Sequence, residues 1–369
     1  MAPSSGQIPK RKAKSQRNPA KQATATAKTS TMPTTTSSVP IALYQSILTT
    51  FRNAFPSSFG SSLQLRLQEI KQHLYNRDFS QAFGNEELLE AYAVRWSPSR
   101  ALGYVRIFQE VFGLLTVEAT IKDAVRETES SKSGNSIQID KSTKTVLCLG
   151  GGAGAELVAL AGLMSLEENI EKLVFHAIDS APWGVPLYNL WNTSTDAPPL
   201  SLYASASARA ANTALVSGNK FALQFHQLDI LSAESEQKFN TLITGADVIT
   251  LMFTLNELYN TSLSSTQRLL HFLTERSKKG AILVVVDSPG SYAEVGVGKE
   301  GSKKTYPMQF LLDFGLLGSQ YDKDDSDEGG KKWEKLITED SRWFRLPEGL
   351  KYPIELENMR FQMHVYRRL

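Results

Sequence analysis

The sequence has a single cysteine, Cys148, which excludes an internal disulfide and any cysteine-cluster metal site. Its five histidines (His73, His176, His226, His271 and His364) are scattered without HxxxH spacing, so a reducing compartment and a metal-independent mechanism are expected. Long apolar runs are also missing. The longest purely aliphatic stretch is Ala281–Val286, far short of the roughly 20 residues a membrane-spanning helix needs, so no membrane span is expected. The front of the chain lacks acid altogether: nine Lys/Arg precede the first carboxylate, Glu69. Over all 369 residues there are 40 basic and 38 acidic side chains, so the remainder is mildly acidic. A basic arm on such a body suits nucleic acid or a transport receptor.

Residues 1–40 are rich in Pro, Ser, Thr, Ala and Lys and have no apolar period, which predicts a disordered basic tail. The cluster Lys10, Arg11, Lys12 and Lys14 has the form of a nuclear localisation signal or a nucleic-acid contact. Location in the nucleus or nucleolus and the cytoplasm is expected from it. A mitochondrial transit peptide competes, but those are Arg-rich amphipathic helices, whereas this tail is Lys-led and broken by prolines. A plain solubilising tail is the third reading.

Hydrophobic residues make up 41% of the chain, enough for a sizeable core, and their spacing divides it. Over 41–125 the period is helical, with Leu63, Leu67, Ile70 and Leu74 on one face and Ala101, Val105, Phe108 and Phe112 on another. Between them, Ser97-Pro98 predicts a helix start, with Ser97 as N-cap and Pro98 in the first turn. A small helical N-terminal domain is expected, with a linker at 126–142. From 143 to 369 strand-like runs (145–149, 173–178, 221–226, 247–253, 281–286) alternate with helical stretches near 155–165, 183–192, 204–216 and 262–278. That rhythm predicts a doubly wound α/β sheet, parallel in its main part. Trp333–Leu346 and Met359–Leu369 follow without a helix between them and should pair antiparallel. Gly290–Lys304 and the charged Asp322–Lys332 are expected to be loops.

The strongest motif is Val146–Leu149 running into Gly150, Gly152 and Gly154, then Glu156 and a helix rich in Ala and Leu. Glycines allow the tight turn and a close approach of ligand to backbone, and the helix N-terminus offers free N–H groups. The run fits the G-x-G-x-G of S-adenosylmethionine (SAM) sites and also the dinucleotide pattern G-x-G-x-x-A. Asp179, at the tip of the second strand, is placed to accept from ribose hydroxyls. Asp229 and Ile230 follow the third strand, where an acid reads an adenine amino group and an apolar neighbour packs on the ring; a solvated strand-end Asp is the ordinary alternative. Asn256 and Glu257 follow the fourth strand and should face the reacting centre, unless they only start a helix. Asp287 comes after the fifth strand, on the same rim. Cys148, His176 and His226 are expected to be core or edge residues.

At these residues the sequence resembles the class I SAM-dependent methyltransferases. More narrowly, it is similar to the fungal 25S rRNA (uridine-N3)-methyltransferases. The strings that carry the likeness are RWSPSRALGY, VLCLGGGAGAEL, HAIDSAPWGVP, DVITLMFTLNEL, VVVDSPGSYAEVG and YPIELENMRFQMHVYRR. The resemblance implies SAM as cofactor and methyl transfer to N3 of a uridine in large-subunit rRNA or a pre-ribosomal particle. It also implies a Rossmann-like seven-stranded, mostly parallel sheet with an antiparallel last strand. Many class I enzymes carry an acid two residues before the first glycine; here that position is Cys148, which leaves Glu156 as the substitute for holding the methionine ammonium. Arg95, Arg100 and Arg106 are expected phosphate contacts or, equally, a solvated helix face. A nicotinamide-dependent oxidoreductase and a non-catalytic ribosome-assembly factor on the same fold remain open on the sequence.

Overall fold

Short apolar runs bounded by turn residues become the strands of one sheet, as they must where helices cover both faces. A computed structural model describes residues 39–129, 143–210, 212–297, 302–318 and 331–369. Strands β1 (Thr143–Leu149), β2 (Lys172–Asp179), β3 (Phe221–Gln227), β4 (Val248–Met252) and β5 (Ile282–Asp287) are parallel. A separate antiparallel hairpin follows, β6 (Tyr292–Val297) and β7 (Ser302–Pro307). The chain ends with β8 (Trp333–Phe344) and β9 (Met359–Arg368). The seven-stranded sheet has the order β3-β2-β1-β4-β5-β9-β8, with β9 inserted antiparallel to both neighbours. The expected seven-stranded α/β sheet with its antiparallel C-terminal pair is therefore present. The strand order reverses between β1 and β4, and at such a switch point the carboxyl ends of parallel strands open a ligand crevice.

The helices are α1 (Ile41–Ala54), α2 (Leu63–Tyr75), α3 (Phe79–Ala82), α4 (Glu86–Glu129), α5 (Ala155–Met164), α6 (Gly184–Thr195), α7 (Ala206–Ala210), α8 (Ala233–Gly245), α9 (Leu255–Thr261), α10 (Leu263–Arg276) and α11 (Met308–Leu317). One sheet face carries α5 and α6, and α1 and α4 pack directly onto these two. Ile47, Leu67 and Val105 accordingly share a continuous core with Val146, Leu157 and Phe175. The opposite face buries Leu147 and Leu149 against Phe239 of α8, Leu270 of α10 and Leu312 of α11. The N-terminal helices thus form a layer of the same body rather than a domain beside it. Among the described residues no helix is long and apolar enough to cross a membrane.

The predicted helix start at Ser97-Pro98 is not there: α4 runs through Pro98 without a break. Proline removes the N–H that would bond the carbonyl four residues earlier. That carbonyl, on Val94, instead accepts the Tyr352 hydroxyl at 3.0 Å. Ser97 caps nothing; its hydroxyl donates to the Ala153 carbonyl in the glycine loop at 2.7 Å. Ser99 Oγ accepts the Glu357 N–H at 3.0 Å. Three contacts within six residues therefore fix this stretch of α4 between the loop and the C-terminal segment. A Cβ on Gly103 would come within 2.4 Å of Met359 Cε, so glycine lets α4 cross β9 closely.

Other boundaries moved as well. Helix α4 continues to Glu129, so residues 126–129 of the expected linker are helical, and 130–142 lie outside the described residues, as do 1–38 of the expected tail. Part of the expected Gly290–Lys304 loop pairs as β6–β7. Only Ala206–Ala210 of the 204–216 stretch is helical, and none of its residues is buried. Most of the charged Asp322–Lys332 segment lies outside the described residues.

Candidate active site

The carboxyl ends of β1–β5 and the helices α2–α4 enclose a cavity of about 700 Å³. Its floor begins at the glycine loop. Gly150 takes φ +83°, donates its N–H to the Ile178 carbonyl at 2.8 Å and lies against Thr254, so a Cβ there would clash as well as strain the backbone. At Gly152 a Cβ would sit 1.9 Å from Trp183 Cδ1. Gly152 therefore accommodates Trp183, and it lies behind the loop rather than on the cavity wall. Gly154 is the N-cap of α5, also behind the wall. The other expected residues (Gly150, Glu156, Asp179, Asp229, Ile230, Asn256 and Glu257) all line the cavity.

Asp179 accepts the N–H of Gly152 at 3.1 Å and that of Ala181 at 3.0 Å. It thereby ties the loop after β1 to the tip of β2. Burial pushes its carboxyl up to about 6 despite these donors. Glu156, in the first turn of α5, is only 4% exposed and accepts the Cys148 thiol at 3.3 Å. Burial pushes it up to about 7, with Arg100 pulling the other way. Asp229 is exposed and accepts the Leu231 N–H at 2.9 Å, while Ile230 beside it is buried.

Beside the glycine loop, the acceptor end of the cavity is built on β4 and β5. Phe253 has φ +56°, a left-handed conformation unusual for a bulky residue and one that clusters at functional sites. Its strained turn sends the chain into α9, where Asn256 and Glu257 occupy the first turn and Thr254 is the N-cap. The Asn256 N–H donates to Asp287 Oδ2 at 3.0 Å, and Asn256 Oδ1 is buried without a hydrogen-bond partner. Burial and the Glu257 charge push Asp287 up to about 6, against the N–H donors of Asn256 and Ser288. Glu257 itself is half-exposed, with its Oε2 3.8 Å from Arg77 of the α2–α3 turn.

Several wall residues were not foreseen. Arg100, expected on a phosphate-binding or solvated face, points inward from α4: its guanidinium lies 4.7 Å from the Phe253 ring centroid and donates to the Tyr92 hydroxyl at 3.2 Å. Trp183, Tyr92 and Phe83 form an aromatic cluster beside it, with Phe83 and Trp183 centroids 5.5 Å apart. Arg95 pairs with Glu357, and Arg106 is exposed. His176 and His226 stack on β2 and β3, 3.2 Å from Nδ1 to Nε2, and neither lines the cavity. Among the described residues, no group of three or more His, Cys, Asp or Glu is arranged to hold a metal ion.

A family model described as "Putative SAM-dependent methyltransferase" matches residues 51–367, which takes in both the N-terminal helices and the sheet. The chain belongs to this family. A curated relative, the 25S rRNA (uridine(2843)-N(3))-methyltransferase of Saccharomyces cerevisiae, is 31% identical over 324 residues, covering 83% of this chain and 78% of the yeast protein. Among solved structures the chain resembles a SAM-dependent methyltransferase from Methanosarcina mazei, at 12% identity and TM-score 0.34, covering 62% of this chain and 93% of that one. It also resembles the antibiotic-resistance methyltransferase Kmr, at 13% identity and TM-score 0.34, covering 63% and 90%.

SAM is the cofactor of this methyltransferase, and the cavity fits it on two counts. Its volume of about 700 Å³ is within the range of roughly 300–1,000 Å³ usual for small-molecule sites. Its walls also hold carboxyl groups that burial has made reluctant to ionise, at Glu156, Asp179 and Asp287. A ligand bearing an ammonium and a sulfonium supplies the positive charge they lack.

Proposed function

We propose that this methyltransferase transfers the methyl group of SAM to N3 of a uridine in large-subunit rRNA, acting on free rRNA or a pre-ribosomal particle. The likeness to the yeast uridine-N3 enzyme supports the substrate, and the acceptor end of the cavity supports the chemistry. One observation carries it: a buried Asn256 amide oxygen without a partner stands beside Glu257, in the first turn of α9 on the cavity wall. Asp179 would accept from the ribose hydroxyls of SAM, Asp229 and Ile230 would hold its adenine, and Glu156 would hold its methionine ammonium.

When bound, SAM supplies a methyl group activated by the sulfonium, and the protein's task is alignment and exclusion of water. The Phe83–Tyr92–Trp183 cluster closes one wall against solvent. The uridine N3–H is a weak acid, so the Glu257 carboxylate takes its proton as the nitrogen becomes nucleophilic. Negative charge then develops on the uracil carbonyl oxygens. The Arg100 guanidinium, held by Tyr92 and Phe253, offsets it. The Asn256 amide holds the edge of the base. Because N3 is on the pairing edge, the target nucleotide must be unpaired or extruded. The Lys10–Lys14 cluster supports a nuclear, nucleolar and cytoplasmic location, where such RNA is made and assembled.

The test is incubation of the full chain with isotopically labelled SAM and a large-subunit rRNA transcript, followed by nucleoside mass spectrometry. Labelled 3-methyluridine is the expected product. A chain that binds SAM yet labels no uridine, or labels another atom, overturns the proposal.

A further inference from the structure

Beside the cofactor cavity lies a second, smaller one of about 160 Å³, lined among others by Arg95, Trp96, Arg100, Phe253 and Arg360. Arg100 and Phe253 also line the main cavity, so the two adjoin at the acceptor end. Arg360 continues the surface outward. On β9 it stands directly opposite Trp343 of β8, and its guanidinium lies 5.7 Å from the Trp343 ring centroid. Arg345, the first residue past the end of β8, places its own guanidinium 5.0 Å from that centroid. Trp343 is 51% exposed, a large aromatic left on the outer strand of the sheet.

The charges here are unequal. Arg95 pairs with Glu357, the one acid among the residues lining the smaller cavity. Among the described residues, Arg345 and Arg360 make no ion pair with a carboxylate; Arg360 donates only to the Ser341 hydroxyl at 2.9 Å. An exposed tryptophan flanked by two uncompensated guanidinium groups matches one kind of partner well. Unpaired bases stack on the indole, and their phosphates meet the arginines. A duplex would offer the phosphates but keep its bases stacked inside.

We propose that Trp343, Arg345 and Arg360 form a docking platform for single-stranded RNA next to the target nucleotide, leading past Arg95 and Trp96 to the acceptor end of the cofactor cavity. The proposal rests on the uridine reading above and adds the route by which the strand enters. Trp343 acts by stacking, and the two arginines by neutralising phosphate.

The experiment uses the full chain and its Trp343→Ala, Trp343→Phe and Arg345→Ala/Arg360→Ala variants. Readouts are single-stranded rRNA-fragment binding by fluorescence anisotropy at several salt concentrations, steady-state methylation, SAM affinity and melting temperature. Trp343→Ala should weaken single-strand binding roughly tenfold or more and raise KM for RNA with little change in kcat, while Trp343→Phe restores most of it. The double arginine variant should lower the salt-dependence slope by about 1.4. Wild-type RNA affinity and KM in Trp343→Ala, with SAM affinity and melting temperature unchanged, overturn the platform. Equal weakening for a duplex of the same sequence also overturns it, since stacking would not be involved. If the wild-type chain labels no uridine but single-strand binding still depends on Trp343, the platform stands and the catalytic reading falls.

Discussion

Glu156→Gln separates the cofactor reading from a purely structural one, because the same carboxyl group sets both a binding term and a stability term. Glutamine keeps the shape and the oxygen that accepts the Cys148 thiol, and it removes the ionisable group. In the wild-type protein burial raises this carboxyl from its ordinary 4.5 to about 7. The folded state therefore holds its proton more tightly than the unfolded chain. Below pH 4.5 both states are protonated and the group's contribution is fully present. As pH rises toward about 7 the unfolded chain gives up a proton that the folded one retains, and stability falls. At 1.36 kcal/mol per unit of pKa, the loss at pH 8 comes to about 3 kcal/mol. Without SAM, Glu156→Gln should thus be more stable than wild type at pH 8 by up to that amount, and nearly equal to it at pH 4.5. Asp179, Asp287 and the histidines His176, His226 and His364, whose burial also shifts them, add the same pH dependence to both proteins. SAM should do the reverse. Its ammonium favours the ionised carboxylate, so wild-type affinity climbs between pH 6 and 8, while the variant binds roughly tenfold to hundredfold more weakly with a flatter pH profile. Urea unfolding across pH, with and without SAM, and calorimetric titration give both numbers. A variant with the wild-type pH slope of stability and wild-type SAM affinity would refute the reasoning.

Asp179→Ala removes the ribose acceptor and strands the N–H groups of Gly152 and Ala181, so SAM affinity should fall roughly tenfold to hundredfold in calorimetry, with a lowered melting temperature. Glu257→Gln keeps the shape of the acceptor end without a base, and single-turnover methylation should slow by roughly 10²–10⁴ while SAM affinity holds. Near-normal turnover would remove Glu257 from that role. Tyr352→Phe deletes the hydroxyl that serves the Val94 carbonyl above Pro98 and should cost about 1 kcal/mol in urea unfolding; no loss would mean that solvent serves that carbonyl instead.

The parallel strands were legible in the sequence because a strand buried on both faces is written as an uninterrupted apolar run, as in Ile282–Val286. The glycine loop and the acids at the strand tips followed from the strand ends. What stayed hidden depended on distant partners. Nothing local in Ser97-Pro98 says that a helix continues, because the group repairing the break, Tyr352, lies 258 residues from Val94. Arg100 reads as a phosphate contact or a solvated cation in the sequence because helical periodicity marks which side faces one core and cannot show that the opposite side faces a cavity. Helix α8 was missed because one position of its buried stripe, Ser235–Phe239–Ile243, is a serine among polar neighbours. The β6–β7 pairing was masked by the glycines that made its segment look like a loop.

The hold of residues 352–358 on α4 has a consequence for the order in which the protein becomes competent. On a translating ribosome α4 and the glycine loop emerge long before the segment that carries Tyr352 and Glu357. Until it arrives, the Val94 carbonyl and the Ser99 hydroxyl lack the partners they have in the finished fold. The same late segment supplies Asn358, Met359 and Arg360 to the smaller cavity. Loop closure over so long a separation is among the slowest steps available to a chain of this kind. The wall that carries Arg100 is therefore set only when the C-terminal strand pair docks, and a nascent chain with its glycine loop already formed would still lack a finished acceptor end.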